Sequence, residues 1–298
     1  MIKGTEAASA SVSLFYRLIA VGFSMIYMKA SEGEDLNRLL NSGSEGPLTV
    51  ELPAKAVFRQ KVRISRSDLT VIGNGATIVW NDHNGMTPGF GTAASATLTV
   101  TGNNVTFKDL TVQNDFDFPL YNRIRVENPA VRHGLQAVAV FTSPDSTGTM
   151  FESCTLLSWQ DTLFCDGEEE SYRDCIIKGN IDFIFGRSHA LFDHCTIVSL
   201  GKGFVTAPST MADKGRGLCF ESCILTCTSD VEDGSVYLAR PWHPSAKEGV
   251  CSYASFKGCK FGRHISRDLW TTMHDSKGGT HTPQESRFHV CDCAFEGE

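Results

Sequence analysis

One short pattern of apolar and polar positions recurs along most of the chain. It begins with an aromatic residue, continues through two mostly polar residues to Cys or Leu, and is followed by further apolar residues. The copies lie at 107–110, 151–154, 172–175, 192–195, 220–223, 256–259 and 288–291. The second to fourth copies place Cys154, Cys175 and Cys195 21 and 20 residues apart. Short units of this period, rich in β-branched and aromatic residues, predict a solenoid built of strands.

A parallel β-helix explains this repeat best, because each strand would pair with its equivalent one coil away, at a spacing of about 4.8 Å. Equivalent residues then form ladders, and Cys154, Cys175 and Cys195 are predicted to line the interior as small apolar side chains. Metal binding by these cysteines is the alternative, but the chain has no Cys-x-x-Cys pair and the Cys-Asp-Cys at 291–293 alone does not define a metal site.

The segment before the repeat has a different pattern. Residues 32–43 read as a short helix closed by Gly43, which would cap the N-terminal end of the solenoid. Strand-like segments follow at 48–52, 68–72 and 97–101, and long loops are predicted at 81–92 and 114–130. No linker divides the chain, so we expect an N-terminal extension at 1–24 and one β-helix domain at 25–298.

Composition restricts the partners and the location. The chain has 298 residues, of which 41% are hydrophobic and 20% charged, and its formal net charge is −7. These values fit a globular protein, and without a basic run we expect no nucleic acid partner. The apolar run at 18–28 is too short to span a bilayer and is a poor signal peptide. With 11 cysteines that read as reduced thiols, a cytoplasmic location is favoured over secretion.

The repeat places two aspartates in equivalent positions. Asp161 follows Cys154 by seven residues, and Asp182 follows Cys175 by the same interval. Their backbones should therefore lie one strand spacing apart, and two carboxylates so close cannot both ionise easily. One carboxyl group would stay protonated beside an ionised one, as acid–base chemistry requires. An exposed ladder of aspartates on turns is the alternative interpretation of the spacing.

The neighbouring residues favour the catalytic interpretation. Gln160 precedes Asp161, and Gln136 lies in an apolar segment at 136–140 that reads as a strand. Glutamine amides donate hydrogen bonds to a developing oxyanion. Asp182 lies in an apolar run at 181–186 and needs a partner, for which Arg240 is the candidate, because a guanidinium can bind both carboxylate oxygens.

These segments resemble the signature motifs of the pectin methylesterases, carbohydrate esterase family 8. The motifs are Gln-Ala-Val-Ala at 136–139, Trp-Gln-Asp-Thr-Leu at 159–163, Ile-Asp-Phe-Ile-Phe-Gly at 181–186 and Ala-Arg-Pro-Trp at 239–242. The stretch at 205–210 looks like the bacterial branch. The resemblance implies an all-β, single-stranded, right-handed parallel β-helix of the pectin lyase-like type. It also implies hydrolysis of methyl esters of homogalacturonan or its oligomers, without a metal or other cofactor.

The resemblance assigns roles residue by residue. Asp182 matches the nucleophile, Asp161 the general acid and base, Arg240 the residue that orients the nucleophile, and Gln136 and Gln160 the oxyanion stabilisers. Residues that match the substrate groove are Trp242, Phe185, Phe164, Phe141 and Met273. The family often has Gly at the position of Ala239 and Tyr at those of Trp159 and Phe164. We expect a monomer that does not bind a membrane.

Several alternatives remain open from the sequence. A pectate lyase on the same fold would need a cluster of acidic Ca²⁺ ligands, whereas this chain offers two paired aspartates. A serine esterase would need Gly-x-Ser-x-Gly, which is absent from the chain. An esterase or thioesterase with a different substrate, or a carbohydrate-binding solenoid without activity, would also fit. Lys202 follows Cys195 by seven residues, in register with the two aspartates, where it could tune the site by charge, but an ordinary loop lysine is the favoured interpretation.

Overall fold

The computed structural model describes residues 16–20, 23–43, 46–87, 89–128 and 134–297. These residues form one sheet system of 23 strands and a separate two-stranded hairpin. The strands of the N-terminal part are β1 Tyr16–Ala20, β2 Phe23–Lys29, β3 Leu48–Glu51, β4 Val57–Phe58, β5 Val62–Ile64, β6 Leu69–Trp80, β7 Leu98–Val100 and β8 Val105–Asn114. Those of the central part are β9 Val140–Thr142, β10 Thr149–Glu152, β11 Thr155–Leu157, β12 Leu163–Cys165, β13 Glu169–Arg173, β14 Ile176–Gly186, β15 His189–Asp193 and β16 Thr196–Pro208.

The C-terminal part completes the solenoid. Its strands are β17 Leu218–Glu221, β18 Ile224–Cys227, β19 Val236–Ala239, β20 Tyr253–Lys257, β21 Lys260–Phe261, β22 Met273–His274, β23 Thr280–His281, β24 Arg287–Cys291 and β25 Ala294–Phe295. The described residues also contain helices α1 Leu36–Leu40 and α2 Phe118–Glu127, and 3₁₀ turns Ala93–Ser95, Pro244–Ala246 and Pro283–Glu285. None of these helices is both long and apolar enough to cross a membrane.

Strands of successive coils pair in parallel, which confirms the predicted β-helix. One ladder runs through β10, β13, β15, β17, β20 and β24. A second runs through β11, β14, β16, β18, β21 and β25. The antiparallel pairs are β1 with β2 and β22 with β23. Equivalent side chains on successive coils therefore lie beside one another.

Aromatic rings of the repeat form a continuous stack inside the solenoid. Successive ring centroids lie 4.4 to 5.4 Å apart, and the stack contains Phe107, Phe151, Tyr172, Phe192, Phe220 and Phe256. Each of these side chains is at most 1% exposed. The first position of the repeat is thus aromatic because stacked rings fill the core at one ring per coil.

The cysteines of the repeat form a buried ladder of free thiols beside this stack. The Cys195 thiol donates to the carbonyl of Tyr172 at 3.3 Å, and other thiols of the ladder do the same one coil further on. The residue before each cysteine has a positive φ, for example 52° at Asp174 and 53° at His194. Short polar residues tolerate this left-handed conformation, which explains why the third position of the repeat is polar or Gly.

The last copy of the repeat was assigned to the wrong residues. Val290, and not Phe288, pairs with Phe256, so Cys293 rather than Cys291 continues the thiol ladder. Phe288 instead pairs with Ala254 and contacts Trp270 at a ring distance of 5.1 Å. The aromatic residue at 288 therefore fills space beside Trp270 and not inside the stack.

The N-terminal coils differ from the prediction in detail. The predicted helix is limited to α1, which starts at the N-cap Asp35 and buries Leu36, Leu39 and Leu40 in the core. Strand β2 starts at Phe23, and β1 pairs with it inside the segment predicted as an N-terminal extension. Residues 1–15 and 21–22 of that extension lie outside the described residues.

Two local predictions in the central chain were wrong. The predicted loop at 114–130 contains α2, whose N-cap Asp117 accepts a hydrogen bond from the Leu120 amide and is followed by Pro119 in the first turn. The helix is mostly exposed, so the sequence has no clear apolar stripe there. The predicted strand at 136–140 begins only at Val140, so Gln136 lies in the extended segment before β9.

We expect Phe192→Ala to lower the free energy of unfolding by about 3–5 kcal/mol, because it opens a cavity between the stacked rings of Tyr172 and Phe220. Val57→Ala is the matched control, since Val57 is 67% exposed. Urea unfolding followed by circular dichroism measures both. Equal losses in the two variants would contradict the role of the stack.

Candidate active site

Strand register brings the two candidate aspartates together. Gln160 pairs with Ile181, and Leu163 pairs with Ile184, so the offset of 21 residues carries through Asp161 and Asp182. Both aspartates are 8% exposed and line one cavity of about 240 Å³. The sequence predicted this juxtaposition from their shared distance to the cysteines of the repeat.

A β-bulge turns Asp182 toward the cavity. On β14, three steps separate Ile181 from Ile184, whereas only two steps separate their partners Phe204 and Thr206 on β16. The extra residue lies at the point where Asp182 adopts a φ of 50°. Bulges redirect side chains in this way and often lie beside functional sites. Asp161 has a φ of 64°, so both carboxyl groups are presented from left-handed backbone.

Arg240 holds Asp182 with two hydrogen bonds. Its Nε donates to Oδ1 at 2.7 Å, and its Nη2 donates to Oδ2 at 2.5 Å. The guanidinium carbon lies 3.8 Å from the centre of the Phe204 ring, and the Arg240 amide donates to the Thr206 carbonyl at 3.1 Å. A guanidinium clamped between a carboxylate and an aromatic face has little freedom to leave, so the pair is a fixed feature of the cavity.

The two aspartates differ in their electrostatic surroundings. Burial raises the pKa of both carboxyl groups. Arg240 opposes this rise at Asp182 through hydrogen bonds and charge, and at Asp161 through charge alone. The Asp182 charge also raises the pKa of Asp161, which ends well above its ordinary value. The arrangement therefore favours an ionised Asp182 beside a protonated Asp161.

Amide groups line the other wall of the cavity. Gln136 and Gln160 both contribute to the lining. The Gln136 Oε1 accepts a hydrogen bond from Asn84 Nδ2 at 3.1 Å, and the Asn84 amide donates to the Gln136 carbonyl at 2.8 Å. Because its oxygen is occupied, Gln136 presents its amide nitrogen as the group available to donate. A hydrogen bond from Gln160 stabilises the ionised form of Asp161 and so lowers its pKa.

Aromatic side chains form the edge of the cavity. Phe164 stacks on Phe185 at 4.3 Å, and the Trp242 ring meets Phe185 edge-on at 5.5 Å. These three line the cavity together with Met273, which comes from the β22–β23 hairpin. Phe141 packs against Phe164 in a tilted arrangement, with ring centroids 4.9 Å apart, and does not itself line the cavity. The aromatic residues that the sequence pointed to thus lie in one cluster.

Four residues of this region were not found from the sequence. Thr92 and Ala207 line the cavity, Asn84 orients Gln136, and Phe204 lies against Arg240. Ala207 lies within the 205–210 stretch noted in the sequence, but only the strand register could have identified it and Phe204 as neighbours of Phe185 and Ile181.

The predicted register of Lys202 was wrong, although the favoured interpretation of an ordinary lysine outside the site agrees with its position. Gly179 pairs with Ser199, but Ile181 pairs with Phe204, so β16 carries extra residues between these points. Lys202 lies among them, is exposed and does not line the cavity. Among the described residues, no group of three or more His, Cys, Asp or Glu side chains is placed to hold a metal ion.

Comparison with known proteins gives a consistent result. Residues 50–254 match the family model for pectinesterases. Pectinesterase A of Dickeya chrysanthemi is 29% identical over 96% of this chain and 88% of its own length. The pectin methylesterase from Yersinia enterocolitica superimposes with a TM-score of 0.78 at 30% identity, covering 86% of this chain and 87% of that one. A pectin methylesterase mutant solved in complex with a hexasaccharide has a TM-score of 0.77 at 28% identity, covering 87% and 84%.

The raised pKa of Asp161 predicts how stability depends on pH. Because the folded state favours the neutral carboxyl group, Asp161 makes its full contribution to the free energy of unfolding below about pH 3.9, the pKa of an aspartate in an unfolded chain. This contribution is lost as pH rises through the folded-state pKa of Asp161. We therefore expect Asp161→Asn to raise the melting temperature, with a gain that grows from pH 4 toward pH 8. Thermal melts across this range measure the gain. A gain that is absent or independent of pH would contradict the assignment.

Proposed function

The chain belongs to the pectinesterase family and is an enzyme of that class, and we propose that it hydrolyses methyl esters of polygalacturonate with Asp182 as nucleophile and Asp161 as general acid and base. The observation that carries this proposal is the bidentate contact of Arg240 with Asp182, one coil away from an aspartate that has no such contact. The substrate would be methyl-esterified homogalacturonan or its oligomers.

The first half of the proposed reaction forms an acyl-enzyme. A carboxylate oxygen of Asp182 attacks the carbonyl carbon of the ester, and the tetrahedral oxyanion accepts hydrogen bonds from the amides of Gln136 and Gln160. The oxyanion then re-forms the carbonyl as the bond from this carbon to the methoxy oxygen breaks, and Asp161 gives its proton to that oxygen, so that methanol leaves. The product of this step is an anhydride between Asp182 and the galacturonate, with Asp161 now ionised.

The second half restores the enzyme. Ionised Asp161 takes a proton from water, and the resulting hydroxide attacks the galacturonate carbonyl of the anhydride. The bond to Asp182 breaks, its carboxylate returns to the two hydrogen bonds with Arg240, and Asp161 is protonated again. One ester and one water have become one free galacturonate carboxyl group and one methanol, so the cycle balances.

The aromatic cluster gives the sugar chain a surface on which to lie. Phe164, Phe185 and Trp242 offer apolar faces next to the two aspartates. The C–H face of a sugar ring can cover such a surface, which excludes water from the reacting carbonyl and strengthens the hydrogen bonds made there. These residues would therefore fix the position of the ester, whereas the aspartates act on it.

Asp182→Asn should abolish methanol release from highly esterified pectin, because an amide is a poor nucleophile, and Asp161→Asn should lower kcat by about 10²–10⁴-fold through loss of the proton donor. Asparagine is chosen because it accepts the positive φ of both positions. Asp174→Asn is the matched control, since Asp174 has a φ of 52° on the same coils but is exposed. Wild-type rates in either active-site variant would show that the roles are misassigned.

In the proposed reaction Arg240 stabilises the carboxylate nucleophile and glutamine amides donate hydrogen bonds to the oxyanion, so no metal ion is required. Methanol release should therefore be unchanged after dialysis against EDTA. A Ca²⁺-dependent lyase would instead cleave the glycosidic bond by elimination, form unsaturated products and lose its activity in EDTA. The assay follows methanol and ultraviolet absorbance in the same sample. A loss of methanol release that added Ca²⁺ restores would contradict the metal-independent mechanism.

A further inference from the structure

Gln136 is held at two points by a residue that is remote in sequence. Asn84 Nδ2 donates to Gln136 Oε1 at 3.1 Å, and the Asn84 backbone amide donates to the Gln136 carbonyl at 2.8 Å. Gln136 itself lies in the extended segment before β9 and not within a strand. Asn84 thus contacts both the main chain and the side chain of Gln136, and this double contact fixes the two residues relative to each other.

Further contacts join the same two segments of chain. The Gly85 amide donates to the Gly134 carbonyl at 3.0 Å, and His83 Nδ1 lies 3.0 Å from the same oxygen. The His83 ring stacks on Phe116 with the centroids 4.1 Å apart. Residues 83–85 therefore pair with residues 134–136 along their whole length, with Asn84 between two further points of attachment.

The residues before Asn84 attach this loop to the body of the solenoid. Asp82 is 9% exposed, and its carboxylate accepts hydrogen bonds from Trp80 Nε1 at 2.7 Å and from Lys61 Nζ at 2.6 Å. The buried Asn114 donates from Nδ2 to the Asp82 carbonyl at 2.8 Å. Because these partners belong to the regular coils, Asn84 is carried by a fixed part of the structure.

Gly134 allows Asn84 and Gln136 to approach each other. A Cβ added at Gly134 would lie 2.9 Å from Gln136 Oε1 and 3.0 Å from Asn84 Nδ2, the two atoms of the side-chain hydrogen bond. Gly134 is not among the glycines with a positive φ. The glycine is therefore required by close packing against this amide pair and not by its own backbone conformation.

The direction of the Gln136 amide decides whether it helps or opposes the proposed reaction. The nitrogen end of a primary amide donates hydrogen bonds, whereas the oxygen end only accepts them. With its oxygen bound to Asn84, Gln136 turns its nitrogen to the cavity, where the oxyanion forms. In the reversed orientation two negatively polarised oxygens would face each other, and the donor would be lost.

We propose that Asn84, packed against Gly134, is a positioning residue that keeps the Gln136 amide nitrogen directed at the oxyanion. The inference rests on the proposed function. Asn84 does not itself line the catalytic cavity, so it would act through Gln136 and not on the substrate. Because the oxyanion exists only after the nucleophile attacks, the loss of this contact should lower kcat and leave KM nearly unchanged.

The first test replaces the donor by an acceptor of nearly the same shape. In Asn84→Asp the new carboxylate attracts the Gln136 nitrogen and reverses the amide, so kcat for methanol release from highly esterified pectin should fall about 10²-fold. Asn84→Ala removes the contact without imposing the reversed orientation and should lower kcat by about tenfold or less. KM should stay within about twofold in both variants. A role in folding alone would instead make the alanine variant the more damaging of the two.

The second test moves the amide pair without adding charge. Gly134→Ala places a methyl group against both partners, so kcat should fall while KM is retained. In a Gln136→Ala background, Asn84→Asp and Gly134→Ala should have no further effect on kcat, because the group that they misdirect is absent. A direct effect of the new charge on the aspartates would persist in that background.

Asn103→Asp serves as the matched control. Asn103 is exposed and does not line the catalytic cavity, and its Oδ1 accepts from the Thr147 amide at 3.0 Å, which aspartate can also do. This variant should keep the wild-type kcat.

Two results would overturn the positioning role: a wild-type kcat in Asn84→Asp, or a loss that is equally large in the Gln136→Ala background. A wild-type kcat in Gln136→Ala would overturn its role as oxyanion donor. Absence of methanol release from the wild type would overturn the proposed function itself.

Discussion

The unequal contact of Arg240 with the two aspartates is the interaction on which the proposed chemistry depends. The guanidinium forms two hydrogen bonds with Asp182 but reaches Asp161 only through its charge. In a buried cavity, one positive charge can stabilise one carboxylate well, and the second carboxyl group then keeps its proton. Two identical side chains are thereby divided into an anion and an acid, which are the two species that ester hydrolysis by this route requires.

The regular strand pairing of the solenoid, with one β-bulge, positions the residues that make that contact. Parallel pairing fixes the distance between equivalent residues, so any two residues 21 positions apart on these coils become neighbours. A single bulge on β14 then turns Asp182 outward while Phe183 and Ile184 stay in the core. The same register places Phe164 beside Phe185 at the edge of the cavity. The candidate catalytic and substrate-binding residues of these two strands are thus ordered along adjacent coils.

Features that depend on the repeat could be predicted from the sequence, and features that interrupt it could not. The juxtaposition of Asp161 and Asp182 followed from counting residues after Cys154 and Cys175, because no insertion lies between those points. The same counting failed for Lys202, since β16 carries extra residues before Phe204. It also failed at Phe288, where the repeat shifts by two residues. Asn84 escaped notice because its contact with Gln136 spans 52 residues and leaves no local pattern.

¹³C NMR of protein labelled at the aspartate carboxyl carbons can establish whether Asp161 is protonated and Asp182 ionised in the resting enzyme. At pH 7 we expect one carboxyl resonance at the position of a neutral acid, present in the wild type and absent from Asp161→Asn. If every aspartate resonance at pH 7 were that of a carboxylate, or if the neutral resonance disappeared only in Asp182→Asn, the division of roles between the two residues would be contradicted.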